Sequence, residues 1–291
     1  MNNEKTIRLI YPQWQGGDIA RWIPEVKNAE DAATGYALGV QLLSFLAPPN
    51  RAQDTLTVPV DMGASHRTVQ DGVWDRDAIA RQTATALQML RESNPDRIIT
   101  LGGECSVSVA PFSYLAGKYG DDVAMIWIDA HPDITLPGDA YAGYHAMAVA
   151  ALMGKGDEKI VSALPSRIDA SKILFVGLRD WERDEIKMRQ EAYGISHLAP
   201  EQTATDSRAV TQWLERCGAS KVVIHFDLDV LDPTEIVAAV GQSPDGMTME
   251  AAVRVINDIA AVKDIVGLTV AEAMPRTAIR LRNMLRRLPL F

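Results

Sequence analysis

The chain has 291 residues, of which 47% are hydrophobic and 23% charged, and its formal net charge at pH 7 is −9. This composition is typical of a globular protein, and the acidic balance excludes a nucleic-acid partner, because phosphate binding needs a basic surface. The first residues lack the apolar core of a signal peptide, and no apolar run is long enough to span a bilayer, so no membrane partner is expected. The two cysteines form no disulfide framework, and a reducing cytoplasm is predicted.

Short apolar runs alternate with helical patterns along the chain, which predicts an α/β fold with a mainly parallel central sheet and helices on both faces. The predicted strands are Ile7–Ile10, Leu56–Val60, Arg97–Leu101, Val123–Ile128, Lys172–Val176, Val222–Asp227 and Ile265–Val270. Apolar residues recur at helical spacing between Ile79 and Leu90 and between Val210 and Cys217, and Thr248 is a predicted helix N-cap. No composition shift or linker interrupts this pattern, so residues 1–291 are predicted to form a single domain.

Polar clusters follow the last five predicted strands. They are Gly102–Ser106, Asp129–Asp133, Gly177–Asp180, Asp227–Asp232 and Glu272. In open α/β sheets, ligands bind at the carboxyl ends of the strands. The five clusters are therefore predicted to form one active-site rim.

Two aspartate-rich strings stand out among these clusters. In extended chain, Asp129, His131 and Asp133 share one face, and so do Asp227 and Asp229. Four carboxylates and an imidazole at two strand ends repel one another unless cations lie among them. The strings are therefore interpreted as a two-metal site, which usually turns water into a nucleophile. Two aspartate-rich surface turns are the alternative, and the apolar strands that lead into both strings disfavour it.

The motifs together resemble those of the arginase–agmatinase (ureohydrolase) family. They are Gly-Gly-x-x-Ser, Asp-Ala-His-x-Asp, Gly-x-His, Phe-Asp-x-Asp-x-x-Asp-Pro and Glu-x-x-Pro, in this order between Arg97 and Pro275. The resemblance implies a three-layer α/β/α arginase-like fold and a homo-oligomer, a trimer or a hexamer. It also implies hydrolysis of a guanidino C–N bond by a metal-bridging hydroxide, with release of urea.

The resemblance assigns metal ligands by position. Asp129 and Asp227 would bridge two divalent ions, Asp133 would complete one site, and His131 with Asp229 would complete the other. Carboxylate-rich ligation favours a hard divalent ion, and manganese is the usual ion of the family.

Further roles are carried over in the same way. His145, Glu272 and Asp133 form the expected catalytic set, with His145 as proton shuttle to the leaving amine and Glu272 as partner of the substrate guanidinium. Glu182 and Glu185 lie where arginases anchor the amino-acid end of the substrate. The alternatives are a solvated loop histidine, a structural salt bridge at Glu272, and a pair of glutamates that stabilise a helix N-terminus.

The chain departs from the family at the first metal ligand, where Cys105 replaces the usual histidine. A thiolate would favour zinc, iron or nickel over manganese at this site. Cys105 therefore indicates an altered metal, a weak or vacant site, or a redox-sensitive enzyme. Alternatively, Cys105 is a small buried hydrophobic residue without a functional role. A less favoured alternative is a nucleophilic cysteine with His225 as its base.

A second departure is His225, which stands where arginases typically have serine. Strand alternation directs it to the same side as Asp227 and Asp229, one step deeper. We hypothesise that His225 partners Cys105, either as a hydrogen-bond donor behind the ligands or as a substitute ligand.

The substrate-binding segments differ as well. Residues 139–144 and 237–244 replace the segments of the family that grip an amino acid, and Tyr141 and Tyr144 are predicted to lie at the mouth of the site. A different or bulkier substrate tail is expected, which places L-arginine in doubt.

Two alternative functions stay open: an amidino or formimino hydrolase on the same scaffold, and a metal-poor, non-catalytic member of the family. The basic C-terminal helix is expected to pack against a subunit or dock on the chain.

Overall fold

The computed structural model describes residues 4–19, 23, 26, 29–63 and 67–289. Ten strands occur in these ranges: β1 Thr6–Tyr11, β2 Asp54–Thr57, β3 Val69–Gln70, β4 Val73–Trp74, β5 Arg97–Gly102, β6 Val123–Ile128, β7 Ile173–Val176, β8 Ser196–Leu198, β9 Lys221–Asp227 and β10 Asp264–Ala271. Eight of them form one parallel sheet in the order β2-β1-β5-β10-β9-β6-β7-β8, and β3 and β4 form a separate antiparallel hairpin. All seven predicted strands are present in the sheet.

The described α-helices connect these strands. They are α1 Ala29–Leu46, α2 Arg76–Ser93, α3 Val109–Tyr119, α4 Ala148–Leu152, α5 Glu158–Val161, α6 Asp184–Tyr193, α7 Arg208–Cys217, α8 Met249–Val262 and α9 Arg276–Leu285. The predicted N-cap is confirmed, since the Thr248 hydroxyl accepts a hydrogen bond from the backbone N–H of Ala251 at 3.1 Å. None of the described helices combines the length and apolar character needed to cross a membrane.

The central sheet separates two apolar cores. Strand β6 is buried along its whole length, and its side chains alternate: Met125 and Trp127 join the core beneath α2, α3 and α4, whereas Ile126 and Ile128 join the core beneath α7 and α8. The period-2 geometry of a strand directs neighbouring residues to opposite faces. Helices therefore cover both faces, as the alternating pattern predicted.

A third apolar cluster joins α1 to α9. Ile279 of α9 is fully buried in it, and the guanidinium of Arg282 pairs with Asp31 on α1. The basic C-terminal helix therefore docks on its own chain.

Strand order determines where the polar clusters meet. Strands β5, β10, β9 and β6 are consecutive neighbours in the middle of the sheet, and all four run parallel. Their carboxyl ends consequently lie at the same edge, where the segments after them can line one crevice.

Candidate active site

A cavity of about 590 Å³ opens at the carboxyl edge of the central strands. Most of the site residues predicted from the sequence line it: Cys105, His131, Asp133, His145, Glu182, Asp227, Asp229 and Glu272. Asp129 and His225 lie behind this lining and are almost completely buried. Residues from six separate parts of the chain therefore converge on one cavity.

Asp129, His131 and Asp229 form what we call the outer cluster, in which ligand atoms of all three lie within 4.8 Å of one another. The His131 Nδ1 atom lies 3.0 Å from Asp229 Oδ2 and 3.4 Å from Asp129 Oδ1. Burial disfavours the imidazolium, but the charge of Asp229 outweighs it and raises the pKa of His131 well above its usual value. This imidazole between two carboxylates matches the ligand set that the family resemblance implies.

Cys105, Asp129, His225 and Asp227 form the inner cluster, with ligand atoms again within 4.8 Å of one another and all four residues buried. The Cys105 thiol donates a hydrogen bond to Asp227 Oδ2 at 3.0 Å. Burial, and then the charge of Asp227, raises the pKa of this thiol well above its usual value. The hypothesis that His225 and Cys105 are partners is consistent with this placement.

The same type of backbone hydrogen bond orients Asp129 and Asp227, the first aspartate of each aspartate-rich string. The Asp129 carboxylate accepts a hydrogen bond from the backbone N–H of His131, and the Asp227 carboxylate accepts one from that of Asp229, each at 2.7 Å. An aspartate that bonds the N–H two residues on closes a tight turn. The Asp-x-His and Asp-x-Asp spacings therefore end each strand in a turn that holds one carboxylate oxygen and directs the other into the cluster, where Asp129 Oδ2 accepts from the Trp127 indole and Asp227 Oδ2 from the Cys105 thiol.

Two of the predicted catalytic carboxylates have left-handed backbone conformations. The φ angle is +48° at Asp133 and +66° at Glu272, and such conformations persist at functional sites where the surroundings enforce them. The Tyr36 hydroxyl donates to Glu272 Oε2, and the backbone N–H of Cys105 donates to Glu272 Oε1 at 3.2 Å. Burial raises the pKa of Glu272 to about 8. Sequence reasoning missed Tyr36, for which the chain offers no local signal.

His145 lies on a 3₁₀ turn, His145–Met147, and its Nε2 atom is hydrogen-bonded to the Tyr141 hydroxyl at 2.8 Å. Burial, and then His131, lowers the pKa of His145 to about 4, so the imidazole is neutral. The intervening Gly143 is required here, because a Cβ atom at that position would lie 2.4 Å from the Tyr141 ring. Tyr141 therefore positions the predicted proton shuttle, a role that sequence reasoning did not assign.

Two predictions about the pocket mouth are corrected by the structure. Tyr144 lies in the apolar core with 1% exposure and does not line the cavity, because its ring packs among the side chains of that core. Glu182 lines the cavity, but Glu185 does not; its side chain is half exposed and pairs with Arg183 Nε at 3.1 Å. Glu185 begins α6 on the solvent side, which separates it from the other site residues.

The donor set fits divalent cations. Burial, and then the charge of Asp229, raises the pKa of Asp129 to about 7 and that of Asp227 well above its usual value. Asp133 Oδ2 and His225 Nε2 are buried and have no hydrogen-bond partner among the residues that the structure describes. Cations would relieve the repulsion among the carboxylates and satisfy both unpaired atoms.

The fold and this cluster of donors define a class, an α/β protein with a candidate binuclear metal site. A sequence model of the Arginase family matches residues 49–284, more than half of the chain. The chain therefore belongs to the arginase family, which confirms the prediction made from its motifs.

Individual relatives support the same assignment. The arginase of Eremothecium gossypii is 27% identical over 195 residues, which cover 62% of this chain and 47% of the relative. The arginase of Entamoeba histolytica is 26% identical over 185 residues, which cover 62% of this chain and 62% of the relative. The chain thus spans less than two thirds of the length of these curated relatives.

The comparison of structures covers more of the molecule. The crystal structure of Entamoeba histolytica arginase in complex with L-ornithine matches with a TM-score of 0.78 at 18% identity, over 98% of this chain and 97% of that chain. At this identity the likeness shows the fold alone. It confirms the predicted arginase-like α/β architecture with a mainly parallel sheet.

Proposed function

We propose that the protein is a metal-dependent hydrolase that cleaves a C–N bond of a linear amidine, and that a guanidino compound is converted to urea and an amine. Membership of the arginase family supports this class of reaction. The observation that carries the proposal is the convergence of two metal-binding clusters, His145 and Glu272 on one cavity.

One set of residues would bind the two metal ions. Asp129 and Asp227 would hold two divalent ions between them, with Cys105 and Asp133 on one side and His131 and Asp229 on the other. Such a pair of ions supplies a water whose pKa is low enough for attack on the amidino carbon at neutral pH.

His145 and Glu272 would act on the substrate itself. His145, held neutral and aligned by Tyr141, accepts a proton and passes it to the departing amine. Glu272 presents a buried carboxyl group to the guanidinium, and a cation beside it lowers the pKa of that group and restores the carboxylate. Planar forked donors match this acceptor.

The walls of the cavity indicate the substrate tail. Arg183 is the one lysine or arginine among the described lining residues, and it is hydrogen-bonded to Thr135 Oγ1 at 3.0 Å and paired with Glu185 at 3.1 Å. It is therefore committed to protein partners, and the remaining charges of the rim, Asp18, Asp180 and Glu182, are acidic. Such a rim disfavours a substrate carboxylate and favours a neutral or cationic tail, which supports the doubt about L-arginine.

The test is a substrate panel with purified protein supplied in turn with manganese, zinc, nickel and iron. The panel contains a guanidinoalkylamine, a guanidinoalkanoic acid, L-arginine and an N-formimino amino acid. We expect metal-dependent urea release, with kcat/KM for the guanidinoalkylamine at least about tenfold above that for L-arginine, because a carboxylate would be left unpaired at the rim. Ammonia release from the formimino compound would indicate the formimino hydrolase instead. No release with any metal would indicate the non-catalytic member of the family.

We also propose that the protein is a cytoplasmic homo-oligomer, a trimer or a hexamer, with manganese as one of its ions. Family membership supports the assembly. Analytical ultracentrifugation of the metal-loaded protein tests it, and a monomer at micromolar concentration would contradict it.

A further inference from the structure

His225, a member of the inner cluster, lies on β9 at the centre of the sheet. Its strand neighbours in register are Trp127 on β6 and Thr269 on β10. The side chain is fully buried, and it points to the same face as Asp227. The imidazole is therefore shielded from solvent and faces the other ligands of the inner cluster.

Two contacts hold the imidazole ring in one orientation. The ring stacks on Trp127 with centroids 3.7 Å apart and an interplanar angle of 11°. Its Nδ1 atom is hydrogen-bonded to Ser108 Oγ at 2.8 Å. The Trp127 indole N–H also donates to Asp129 Oδ2 at 2.9 Å, so one tryptophan aligns both an imidazole and a carboxylate of the inner cluster.

The second ring nitrogen has no such partner. Nε2 is buried without a hydrogen bond to any residue that the structure describes, and Asp129 Oδ2 lies 3.9 Å away, beyond hydrogen-bond distance. A buried polar atom without a partner destabilises the folded state. With Nδ1–H donating to Ser108, the Nε2 lone pair is directed toward Cys105, Asp129 and Asp227, none of which forms a hydrogen bond with it, and a cation among them would satisfy it.

The spacing of the four donors suits a single ion. Around a tetrahedral ion with bonds of 2.0–2.3 Å, neighbouring donor atoms lie roughly 3.3–3.8 Å apart. Cys105 Sγ lies 3.0 Å from Asp227 Oδ2 and His225 Nε2 lies 3.9 Å from Asp129 Oδ2, one just below and one just above this range, and all four donors fall within 4.8 Å. One sulfur, one imidazole and two carboxylates form a set that zinc binds well and that manganese does not prefer.

We propose that Cys105, His225, Asp129 and Asp227 form a four-ligand site for zinc, in which His225 takes the place that the proposed function gives to Asp133. The harder site beside it, with His131 and Asp229 completing the shared carboxylates, would take manganese. On binding, the Cys105 thiol would release its proton to solvent and ligate as a thiolate. His225 would thus be a direct ligand that supplies the imidazole missing at position 105. This proposal rests on the proposed function only in that the same carboxylates would hold both ions.

The experiment uses cobalt as a spectroscopic stand-in for zinc and does not depend on turnover. The chelator-treated full chain, kept reduced without added thiol, is titrated with cobalt while the near-ultraviolet sulfur-to-cobalt charge-transfer band is followed. We expect the first equivalent to produce the band and one equivalent of zinc to remove it. Metal analysis after loading with one equivalent each of zinc and manganese is expected to give one of each per chain.

Matched variants separate the two unusual ligands. Cys105→Ser is expected to abolish the band, whereas Cys217→Ser, at the other cysteine of the chain, retains it. His225→Gln is expected to weaken binding of the first ion by at least about 100-fold, more than the 10–100-fold that loss of a residue hydrogen-bonded to a ligand costs, whereas the exposed His197→Gln leaves it unchanged. His225→Phe keeps an aromatic ring to stack on Trp127, and it provides a second variant if the glutamine disturbs folding.

Several results would overturn the proposal. Cobalt-loaded protein of the natural sequence without a charge-transfer band would exclude thiolate ligation. Folded His225→Gln and His225→Phe proteins with the natural affinity and spectrum would exclude His225 as a ligand. The band without urea or ammonia release would leave this site standing and contradict the proposed hydrolase, whereas release without the band would contradict this site alone.

Discussion

The inner and outer clusters share Asp129 and lie side by side, yet they differ in chemistry. The outer cluster has an imidazole between two carboxylates, and the side chain of His131 is 22% exposed at the cavity wall. The inner cluster has a sulfur and an imidazole from the middle of the sheet, Cys105 and His225, with exposures of 2% and 0%.

The difference shows that one backbone frame can present two metal chemistries. Both clusters depend on turns closed by an aspartate at a strand end, so the carboxylates are placed by the same local geometry. What distinguishes the clusters is the side chain added to that frame and its distance from water. A buried thiol and imidazole favour a softer ion, and a set made mainly of carboxylates favours a harder one.

The largest expected effect follows from Asp129→Asn, because this residue belongs to both clusters. The N–H groups of Trp127 and His131 bond separate oxygens of Asp129, so the single amide oxygen can keep only one of these hydrogen bonds, and the negative charge that both ions need is lost. We expect affinity for each ion to fall by at least about 10²-fold, since even loss of a residue that only hydrogen-bonds a metal ligand costs 10–100-fold. Metal analysis and urea release measure this, with Asp232→Asn as the control, because Asp232 fixes a loop through Thr234 and Gly246. Loss of one ion alone would show that Asp129 is not shared.

Cys105→His removes the sulfur that distinguishes the inner cluster from the outer cluster. An imidazole in place of the thiol makes the inner cluster resemble the usual family site, so the ratio of manganese to zinc bound there is expected to rise by about tenfold. Competitive loading followed by metal analysis measures this ratio. Complete loss of binding would mean that the site is built around sulfur and has no room for a second imidazole beside His225.

Ser108→Ala tests whether the orientation of the His225 ring matters. The substitution removes the hydrogen bond to Nδ1 but leaves the stack on Trp127, and loss of such an orienting partner costs about tenfold in metal affinity. The inner site is expected to weaken by this amount while the outer site keeps its affinity. Ser113→Ala is the matched control, since its buried hydroxyl bonds only the backbone of Ala110. Equal weakening of both sites would indicate a general loss of structure.

The smallest effect concerns an ion pair outside both clusters, between Asp139 and Arg189. Burial opposes the carboxylate, but the hydrogen bonds from Arg189 outweigh it and lower the pKa of Asp139. A pKa lowered in the folded state adds stability above the unfolded pKa of about 3.9, and this stability is lost as the pH falls through the folded value. Asp139→Asn is therefore expected to cost about 0.5–1 kcal/mol at pH 7 and less at pH 2.

Urea denaturation at the two pH values, with and without chelator, checks this expectation. The pair contacts neither cluster, so its contribution is expected to be independent of metal, and exposed Asp121→Asn serves as the control. A dependence on metal would indicate that the 139–144 segment responds to occupation of the clusters.

Much of the fold could be predicted because its signals are local. Buried strands such as β6 and β9 are runs of mainly apolar residues. The prediction of extended chain through the two aspartate-rich strings is wrong, because β6 ends at Ile128 and β9 at Asp227 and a turn follows each strand. Strand β8 escaped prediction because its three residues, Ser196–Leu198, are largely exposed and carry no apolar pattern. Glu185 was assigned by position along the chain, but the helix start of α6 turns it away from the cavity.

The sequence by itself determined the alternation of strands and helices and the family, because these depend on periodicity and on the spacing of short motifs. It also placed His225 on the face of Asp227, since strand alternation leaves no choice. Only the tertiary structure decided which partners these residues meet. Tyr36 reaches Glu272 across 236 positions and Ser108 reaches His225 across 117, and such contacts depend on strand order and on packing between layers. The unpaired nitrogen of His225 emerges from that packing, because hydrogen-bond satisfaction is a property of all the neighbours of an atom in space.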